Sequence, residues 1–219
     1  MSQAEILASG IANAGWDVSQ ATQQKLLDYL ALLQKWNKVH NLTAVRDPDE
    51  MVTLHLLDSL SVLPHVQALS PSRLLDVGSG AGLPGIILAL CMPDLKVTTI
   101  DAVQKKASFM RQAKAELGIA NLEVIAGRVE QHRPSQAYDI VISRAFSEIA
   151  LFIKLTRHLI AESGQWLAMK GVNPVEELEG IGMPEAKVTP LLVPGLDAQR
   201  HLVTLPAREM KFTPLSRTA

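Results

Sequence analysis

From residue 71 onward, short apolar runs alternate with stretches of helical spacing. The predicted strands are Arg73–Val77, Lys96–Ile100, Leu122–Ala126, Tyr138–Ser143 and Gln165–Met169, and the predicted helices cover residues 85–91, 104–117, 148–160 and 174–179. Strands that alternate with helices form βαβ units, in which the strands pair in parallel. Two last runs, Lys187–Val193 and His201–Leu205, are separated by too few residues for a helix, which predicts an antiparallel hairpin at one sheet edge. The sequence therefore predicts an α/β fold with a mostly parallel, seven-stranded sheet.

Residues 1 to about 70 are predicted to be helical. Ser19 fits the N-cap of a helix whose apolar residues recur at helical spacing, and a polar break follows from Asn37 to Arg46. A second helix is expected to start at Asp47–Glu50, which combines a capping carboxylate with a proline in the first turn, and to stop near Pro64. We expect an N-terminal helical extension over residues 1–70, a Rossmann-like domain over 71–208 and a loosely held tail over 209–219.

The bulk composition describes an ordinary globular chain. Of 219 residues, 47% are hydrophobic and the formal net charge is −1, so no global cationic field indicates a nucleic-acid partner, although a local basic patch could exist. The single cysteine, Cys91, excludes an internal disulfide and a cysteine-based metal cluster. The first residues lack the pattern of a signal peptide, and the longest apolar run, Ile86–Met92, is too short to cross a bilayer. We expect a cytoplasmic monomer with no metal and no membrane contact.

The glycine-rich segment Asp76–Gly85 lies where the first strand should turn into the first helix of the sheet domain. Its glycines at positions 80, 82 and 85 also match the dinucleotide fingerprint, so NAD or flavin binding stays an alternative, as does a bare structural turn. Two features favour S-adenosylmethionine. Asp76, directly after the strand core, would repel a pyrophosphate but could hold the cofactor ammonium, directly or through water. The terminal hairpin also suits the methyltransferase variant of the fold.

Acidic and loop residues after the next two strands extend this prediction. Asp101 follows the second strand and could accept hydrogen bonds from both ribose hydroxyls, although a strand-end or capping role is the alternative. Residues 127–130 follow the third strand, where adenine contacts are expected. From these positions the predicted cofactor-binding residues are Asp76, Gly78, Gly80, Gly82 and Asp101, with backbone contacts from residues 127–130.

Elimination narrows the kind of substrate atom that could receive the methyl group. No Asn/Asp-Pro-Pro-Tyr/Phe segment, which grips an exocyclic amine, follows the fourth strand; Ile142–Phe146 stands there instead. Cys91 falls at the end of a predicted helix, which disfavours a cysteine nucleophile. An atom with its own lone pair, such as guanine N7, needs neither device and is compatible with these observations.

Several basic and polar residues could contact a substrate. Lys105 and Lys106 lie in a first helical turn, where the dipole disfavours cations; a phosphate contact and a solvated helix face explain them equally well. Arg46, Arg144, Lys170 and Arg200 fall on predicted loops or strand ends. His55, Asp58 and Ser59 share one helix face, which favours a structural polar network or a pocket role over a hydrolytic triad.

With these residues in view, the chain closely resembles the RsmG (GidB) family of bacterial 16S rRNA guanine-N7 methyltransferases. The resemblance rests on Asn41–Thr43, His55–Leu60, Asp76–Ile86, Ser143–Ala145, Lys170–Gly171 and Arg200–Val203. It implies a class I S-adenosylmethionine-dependent fold and methylation of guanine 527 of 16S rRNA, in naked RNA, the 30S subunit or an assembly intermediate. It also implies cofactor contacts from Gly78, Leu83, Val129, Glu130 and Arg144, and RNA or catalytic contacts from Asn41, His55, Arg144, Lys170, Arg200 and His201.

The predicted roles beyond the cofactor combine both lines of reasoning. We expect Arg144, Lys170 and His55 to be catalytic, and Asn41, Arg46, Lys105, Lys106, Arg200 and His201 to bind RNA. Three other functions stay open. The near-neutral charge favours a small-molecule methyltransferase, while a non-enzymatic RNA-binding factor and a dehydrogenase would be recognised by their ligand preferences.

Overall fold

A single mixed sheet runs through the computed structural model, which describes residues 1–146, 148–180 and 186–209. Its strands are β1 (Arg73–Val77), β2 (Lys96–Asp101), β3 (Leu122–Ala126), β4 (Tyr138–Ser143), β5 (Ile160–Lys170), β6 (Lys187–Pro190) and β7 (His201–Pro206). They lie in the order β3-β2-β1-β4-β5-β7-β6. Strands β1 to β5 pair in parallel, and β7 pairs antiparallel with both β5 and β6. The predicted parallel sheet with a terminal antiparallel hairpin is confirmed.

The first three helices each follow a residue whose side chain caps the helix. The helices are α1 (Gln3–Ala14), α2 (Gln20–His40), α3 (Pro48–Met51), α4 (Asp58–Leu60), α5 (Leu63–Leu69), α6 (Gly85–Cys91), α7 (Gln104–Leu117), α8 (Ile149–Thr156) and α9 (Val175–Gly180). The Ser19 side chain accepts a hydrogen bond from the Thr22 N–H, and Asp47 caps α3 in the same way. A π-helical turn, Val52–Leu57, connects α3 to α4.

Some predicted boundaries were wrong. Helix α2 continues through Asn37 to His40, and Pro64 lies in the first turn of α5 rather than at the end of a helix. A proline is tolerated there because the first turn does not need its missing N–H. Helix α8 ends at Thr156, and β5 already begins at Ile160, which pairs with Tyr138 of β4. Tertiary pairing therefore overrides local pattern at this junction. Strand β6 ends at Pro190, and residues 210–219 of the predicted tail lie outside the described residues.

The two faces of the sheet bury different apolar clusters. Along β1 the side chains alternate, so that Leu74 packs towards the N-terminal helices, α6 and α7, whereas Leu75 packs towards α8. The first cluster includes Leu26 and Leu30 of α2 together with Phe109 of α7, all fully buried. The N-terminal helices thus share a continuous core with the sheet, and a domain boundary near residue 70 stays a prediction.

The sheet topology gathers the predicted site residues. Strand β1 lies between β2 and β4, so connections leave it in opposite directions and open a crevice at the carboxyl ends of the strands. The segments that follow β1, β2, β3, β4 and β5 therefore meet at one edge of the sheet. This edge contains Gly78, Asp101, Glu130, Arg144 and Lys170.

We expect Leu30→Ala to lower the free energy of unfolding by about 3 kcal/mol, because a fully buried leucine leaves a cavity in the shared core. Urea unfolding followed by far-UV circular dichroism and by tryptophan fluorescence measures this loss. The two probes should report one coincident transition, since Trp36 of α2 packs against the apolar cluster on one face of the sheet and Trp166 of β5 is buried in the cluster on the other face. Val39→Ala is the control, because Val39 of α2 is 74% exposed. Separate transitions would contradict a shared core.

Candidate cofactor and substrate site

The glycine-rich loop after β1 adopts a left-handed backbone that side chains disfavour. Gly78 has a φ of 66° and Gly82 a φ of 88°. A Cβ atom at Gly78 would lie 3.0 Å from the Cβ of Ala145, so the loop also passes close to the segment after β4. The Ser143 hydroxyl joins the same two segments by donating to the Val77 carbonyl at 2.7 Å. Both the backbone and its contacts require glycine at the start of the loop.

Asp76 braces the loop from inside. It is 0% exposed, and its Oδ2 accepts a hydrogen bond from the Gly85 N–H at 2.8 Å. Its Oδ1 has no hydrogen-bond partner among the described residues. Burial raises the pKa of Asp76 to about 7, against the hydrogen bonds from Gly85 and Ser79, which lower it. The carboxylate was predicted to hold the cofactor ammonium; in the structure it ties the first strand to the start of α6.

Asp101 joins the glycine loop to the segment after β2. Its Oδ2 accepts from the Gly80 N–H at 2.9 Å, and its Oδ1 accepts from the Val103 N–H at 2.8 Å. The Lys106 ammonium lies 3.7 Å from the same carboxylate. Asp101 thus holds the backbone at the strand end, the role weighed as the alternative to a ribose contact, and its oxygens keep further lone pairs for a ligand.

A cavity of about 300 Å³ opens beside these two acids. Of the predicted cofactor residues, Gly78, Asp101, Val129 and Glu130 line it. The remaining predicted cofactor residues do not line this cavity: Asp76, Gly80, Gly82, Leu83 and Arg144. Leu83 is 3% exposed and belongs to the apolar core. The cavity has apolar walls, and the space at Gly127 is open. These features suit a nucleoside whose ribose lies at Asp101, the acid at the strand end.

Phe146 is a cavity residue that the sequence reasoning missed. It lines the same cavity, and its ring centroid lies 5.2 Å from that of Phe152 in α8. A ring at this position offers an apolar face to a flat ligand. Its position two residues after Arg144, in the loop that follows β4, is the signal that could have identified it.

A second cavity, of about 430 Å³, lies at the same edge of the sheet. It is lined by Val45, Leu54, His55, Asp58, Arg144, Met169, Lys170, Gly171 and Arg200. Arg144 lines this cavity and Phe146 lines the first, so one short segment after β4 contributes to both. The structure brings together His55, Arg144, Lys170 and Arg200, which the sequence reasoning had proposed from four separate segments.

Asp58 holds two of these cations. It is 2% exposed, and its Oδ2 and Oδ1 lie 2.9 Å from Arg144 and from the Nε of Arg200, respectively. Its partners follow β4 and precede β7, so one carboxylate connects both segments to α4. The sequence reasoning left a polar network and a pocket role open for Asp58 and did not predict its pairing with Arg144 and Arg200; a carboxylate in a helix with several apolar residues was the available signal.

His55 lies in the π-helical turn, a feature that is frequent at functional sites. It is 5% exposed, its Nε2 lies 3.0 Å from the Thr43 hydroxyl, and its Nδ1 has no hydrogen-bond partner in the described part of the chain. Burial lowers the pKa of His55 to about 4; Arg144 lowers it further, and the Leu54 carbonyl and Asp58 oppose both. The imidazole is therefore neutral at physiological pH.

Lys170 at the end of β5 is also paired. Its Nζ lies 2.9 Å from Glu177 of α9, and the Glu177 carboxylate in turn accepts a hydrogen bond from the Ile149 N–H at the start of α8. Each of the three cations that line the larger cavity therefore has a carboxylate beside it. The cavity combines fixed cations with apolar walls.

The remaining predicted RNA-binding residues contact other parts of the protein and do not line the cavities described above. Arg46 donates to the Asn41 side chain at 2.6 Å and to the Asn37 carbonyl at 3.3 Å, which satisfies the end of α2. Lys105 donates to the His40 carbonyl at 2.8 Å. His201 is 6% exposed, and its Nδ1 lies 3.3 Å from the Gly171 carbonyl.

Within residues 1–146, 148–180 and 186–209, no group of three or more His, Cys, Asp or Glu side chains could hold a metal ion. None of the helices described is both long enough and apolar enough to cross a bilayer.

Residues 22–203 match the GidB family, described as rRNA small subunit methyltransferase G. A protein of Methylobacillus flagellatus named ribosomal RNA small subunit methyltransferase G is 71% identical over 203 residues, covering 93% of this chain and 98% of its own. A protein of the same name from Neisseria meningitidis serogroup B is 49% identical, covering 95% of this chain and 100% of its own.

Solved structures agree on the fold. The O-methyltransferase TomG from Streptomyces achromogenes, in complex with SAM, has a TM-score of 0.60 at 17% identity and covers 94% of this chain and 99% of its own. An O-methyltransferase from Bacillus cereus, in complex with SAH, has a TM-score of 0.59 at 16% identity and covers 90% and 94%, respectively. The predicted Rossmann-like methyltransferase fold is confirmed.

We expect Asp76→Asn to remove a pH dependence of stability. The folded carboxyl has a pKa of about 7 and the unfolded one about 3.8, so only the unfolded chain releases this proton in between. The free energy of unfolding of the wild-type protein therefore falls as the pH rises through this window. The asparagine variant has no titrating group at position 76 and should not show this fall. Between pH 4 and pH 8, the free energy of unfolding of the variant minus that of the wild type should rise by about 2–4 kcal/mol, as measured by urea unfolding. Asp94→Asn, at an exposed site, is the control, and parallel profiles would refute the assignment.

Proposed function

The chain belongs to the GidB family, rRNA small subunit methyltransferase G, and we propose that it transfers the methyl group of S-adenosylmethionine to N7 of a guanine in 16S rRNA. The observation that carries the proposal is the pair of cavities at one edge of the sheet. One contains an acid suited to a ribose, the other contains cations suited to RNA, and the segment after β4 lines both.

The smaller cavity is the proposed cofactor site. When bound, S-adenosylmethionine supplies an electrophilic methyl group on its sulfonium. Asp101 would accept hydrogen bonds from the ribose hydroxyls, Gly78 would let the backbone approach the ligand, and Val129 and Glu130 would border the adenine. The proposed roles of Gly80, Gly82 and Leu83 are to shape the loop, and that of Asp76 is to brace it and attract the ammonium through water.

The larger cavity is the proposed guanine site. Leu54, Met169 and Val45 provide apolar walls for a purine ring, and Arg144, Lys170 and Arg200 provide positive charge for the RNA backbone. Guanine N7 carries its own lone pair, so the reaction needs alignment and no proton removal before attack. A neutral His55 is consistent with this, because an imidazole at this position contributes shape and hydrogen bonding without a charge.

Finer assignments belong to the same proposal. The family resemblance supports guanine 527 as the target, and Arg144, Lys170 and His55 as the catalytic group. Asn41, Arg46, Lys105, Lys106 and His201 would act at the periphery, where their present partners hold the surrounding loops. An rRNA substrate supports a cytoplasmic location in a bacterium, and a monomeric state stays a prediction.

The function is tested by adding the purified protein and labelled S-adenosylmethionine to naked 16S rRNA, to 30S subunits from a deletion strain and to a panel of metabolites. We expect label in one guanine of 16S rRNA, located by borohydride and aniline treatment, which cleaves RNA at N7-methylguanine. Label in a metabolite but not in RNA would favour a small-molecule methyltransferase. Binding of RNA with no binding of S-adenosylmethionine would favour a non-enzymatic factor.

We expect Asp58→Asn to lower kcat/KM for the rRNA substrate by about tenfold to a hundredfold, because Arg144 and Arg200 would lose the carboxylate that fixes them. Binding of S-adenosylhomocysteine should change little, since Asp58 does not line the smaller cavity. Calorimetry and single-turnover methylation measure the two quantities. Asp139→Asn is the matched control, because its carboxylate accepts the Ser72 and Arg73 N–H groups away from this edge. Equal losses in both variants would contradict a specific role.

A further inference from the structure

A tyrosine of the N-terminal helices contacts the glycine loop directly. Tyr29 of α2 is 0% exposed, and its hydroxyl donates a hydrogen bond of 2.7 Å to the carbonyl of Ala81, 52 residues along the chain. Ala81 stands between Gly80 and Gly82 and is 5% exposed. The middle of the loop is therefore held from outside the sheet domain.

The Tyr29 ring is fixed by its surroundings. It contacts Phe109 of α7 in an edge-to-face arrangement, with 5.9 Å between ring centroids. Burial raises the pKa of the Tyr29 hydroxyl, and the charges of Arg144 and Asp76 also act on it. The hydroxyl thus stays protonated and remains a hydrogen-bond donor to the glycine loop.

The other loop contacts come from the sheet domain itself. Gly80 is held by Asp101, Gly85 is held by Asp76, and the Gly82 N–H donates to the Ser79 carbonyl at 2.8 Å. Those contacts fix the two ends of the loop and leave the Ala81 carbonyl to Tyr29. Without the Tyr29 hydroxyl, the buried Ala81 carbonyl would lose this hydrogen bond, and the loop could shift.

A second contact joins α2 to the cofactor cavity. At the end of α2, the His40 carbonyl accepts from Lys105, and the adjacent Lys106 lies beside Asp101, which lines the cavity. Helix α2 therefore reaches two of the segments that surround the proposed cofactor site, the glycine loop and the first turn of α7.

We infer that Tyr29 is a positioning residue for S-adenosylmethionine, acting through the Ala81 carbonyl, and that helix α2 is thereby part of the cofactor site. The inference rests on the proposed function, because it assigns the ligand of the glycine loop. It concerns cofactor affinity and leaves the recognition of RNA to the larger cavity.

The test is Tyr29→Phe, which keeps the ring and removes only the donor. Its matched control is Tyr138→Phe, because Tyr138 is 1% exposed and its hydroxyl lies 2.9 Å from His132 Nε2, outside both cavities. Calorimetric titration with S-adenosylhomocysteine should show about fivefold to tenfold weaker binding for Tyr29→Phe and wild-type binding for Tyr138→Phe. The KM for S-adenosylmethionine should rise by the same factor, while the KM for 16S rRNA stays unchanged.

The possible outcomes distinguish a failure of the Tyr29 inference from a failure of the proposed function. Wild-type affinity in a folded Tyr29→Phe protein, checked by circular dichroism and thermal melting, would overturn the inference and leave the proposed function intact. Equal weakening in both tyrosine variants would also overturn it, because it would reflect lost stability alone. Absence of S-adenosylhomocysteine binding by the wild-type protein would overturn the proposed function instead.

Discussion

The buried carboxylate of Asp58 forms the ion pairs on which the larger cavity at the edge of the sheet depends. It accepts from Arg144 and Arg200 at 2.9 Å each, so it holds the segments after β4 and before β7 against α4. A buried carboxylate needs such partners, because leaving it unpaired in the protein interior would be costly. The cations in turn receive fixed positions at the cavity. The same three side chains therefore satisfy a buried charge within the fold and fix two cations at the wall of the larger cavity.

The glycine-rich loop after β1 is organised differently, because hydrogen bonds to its backbone hold it in place. Asp101 holds Gly80, Asp76 holds Gly85 and Tyr29 holds Ala81, so three separate elements constrain one short loop. Because the loop is already constrained, it loses less conformational entropy when a ligand binds. The two cavities nevertheless share a wall segment, since the residues after β4 place Arg144 in the larger cavity and Phe146 in the smaller one.

Most of the fold could be predicted from the sequence, because strands, helix starts and the terminal hairpin follow from short-range patterns. Errors arose where distant residues decide: Ile160 is in a strand because Tyr138 pairs with it, and Pro64 lies in the first turn of a helix that the apolar pattern could not separate from the preceding one. Of the residues that line the two cavities, the sequence had predicted Gly78, Asp101, Val129 and Glu130 in the smaller one and His55, Arg144, Lys170 and Arg200 in the larger one as site residues. Phe146 and the roles of Asp58 and Tyr29 were missed, since their partners are distant or not motif residues.

The sequence by itself determined the fold class, the glycine loop and the family, because each is written in contiguous residues whose spacing carries the information. Only the tertiary structure decided which charges and dipoles meet. Asp58 reaches Arg144 across 86 residues and Arg200 across 142, and Tyr29 reaches Ala81 across 52. Packing of the N-terminal helices on the sheet brings these groups together, and a hydrogen bond depends on distances below about 3.5 Å that sequence separation cannot specify.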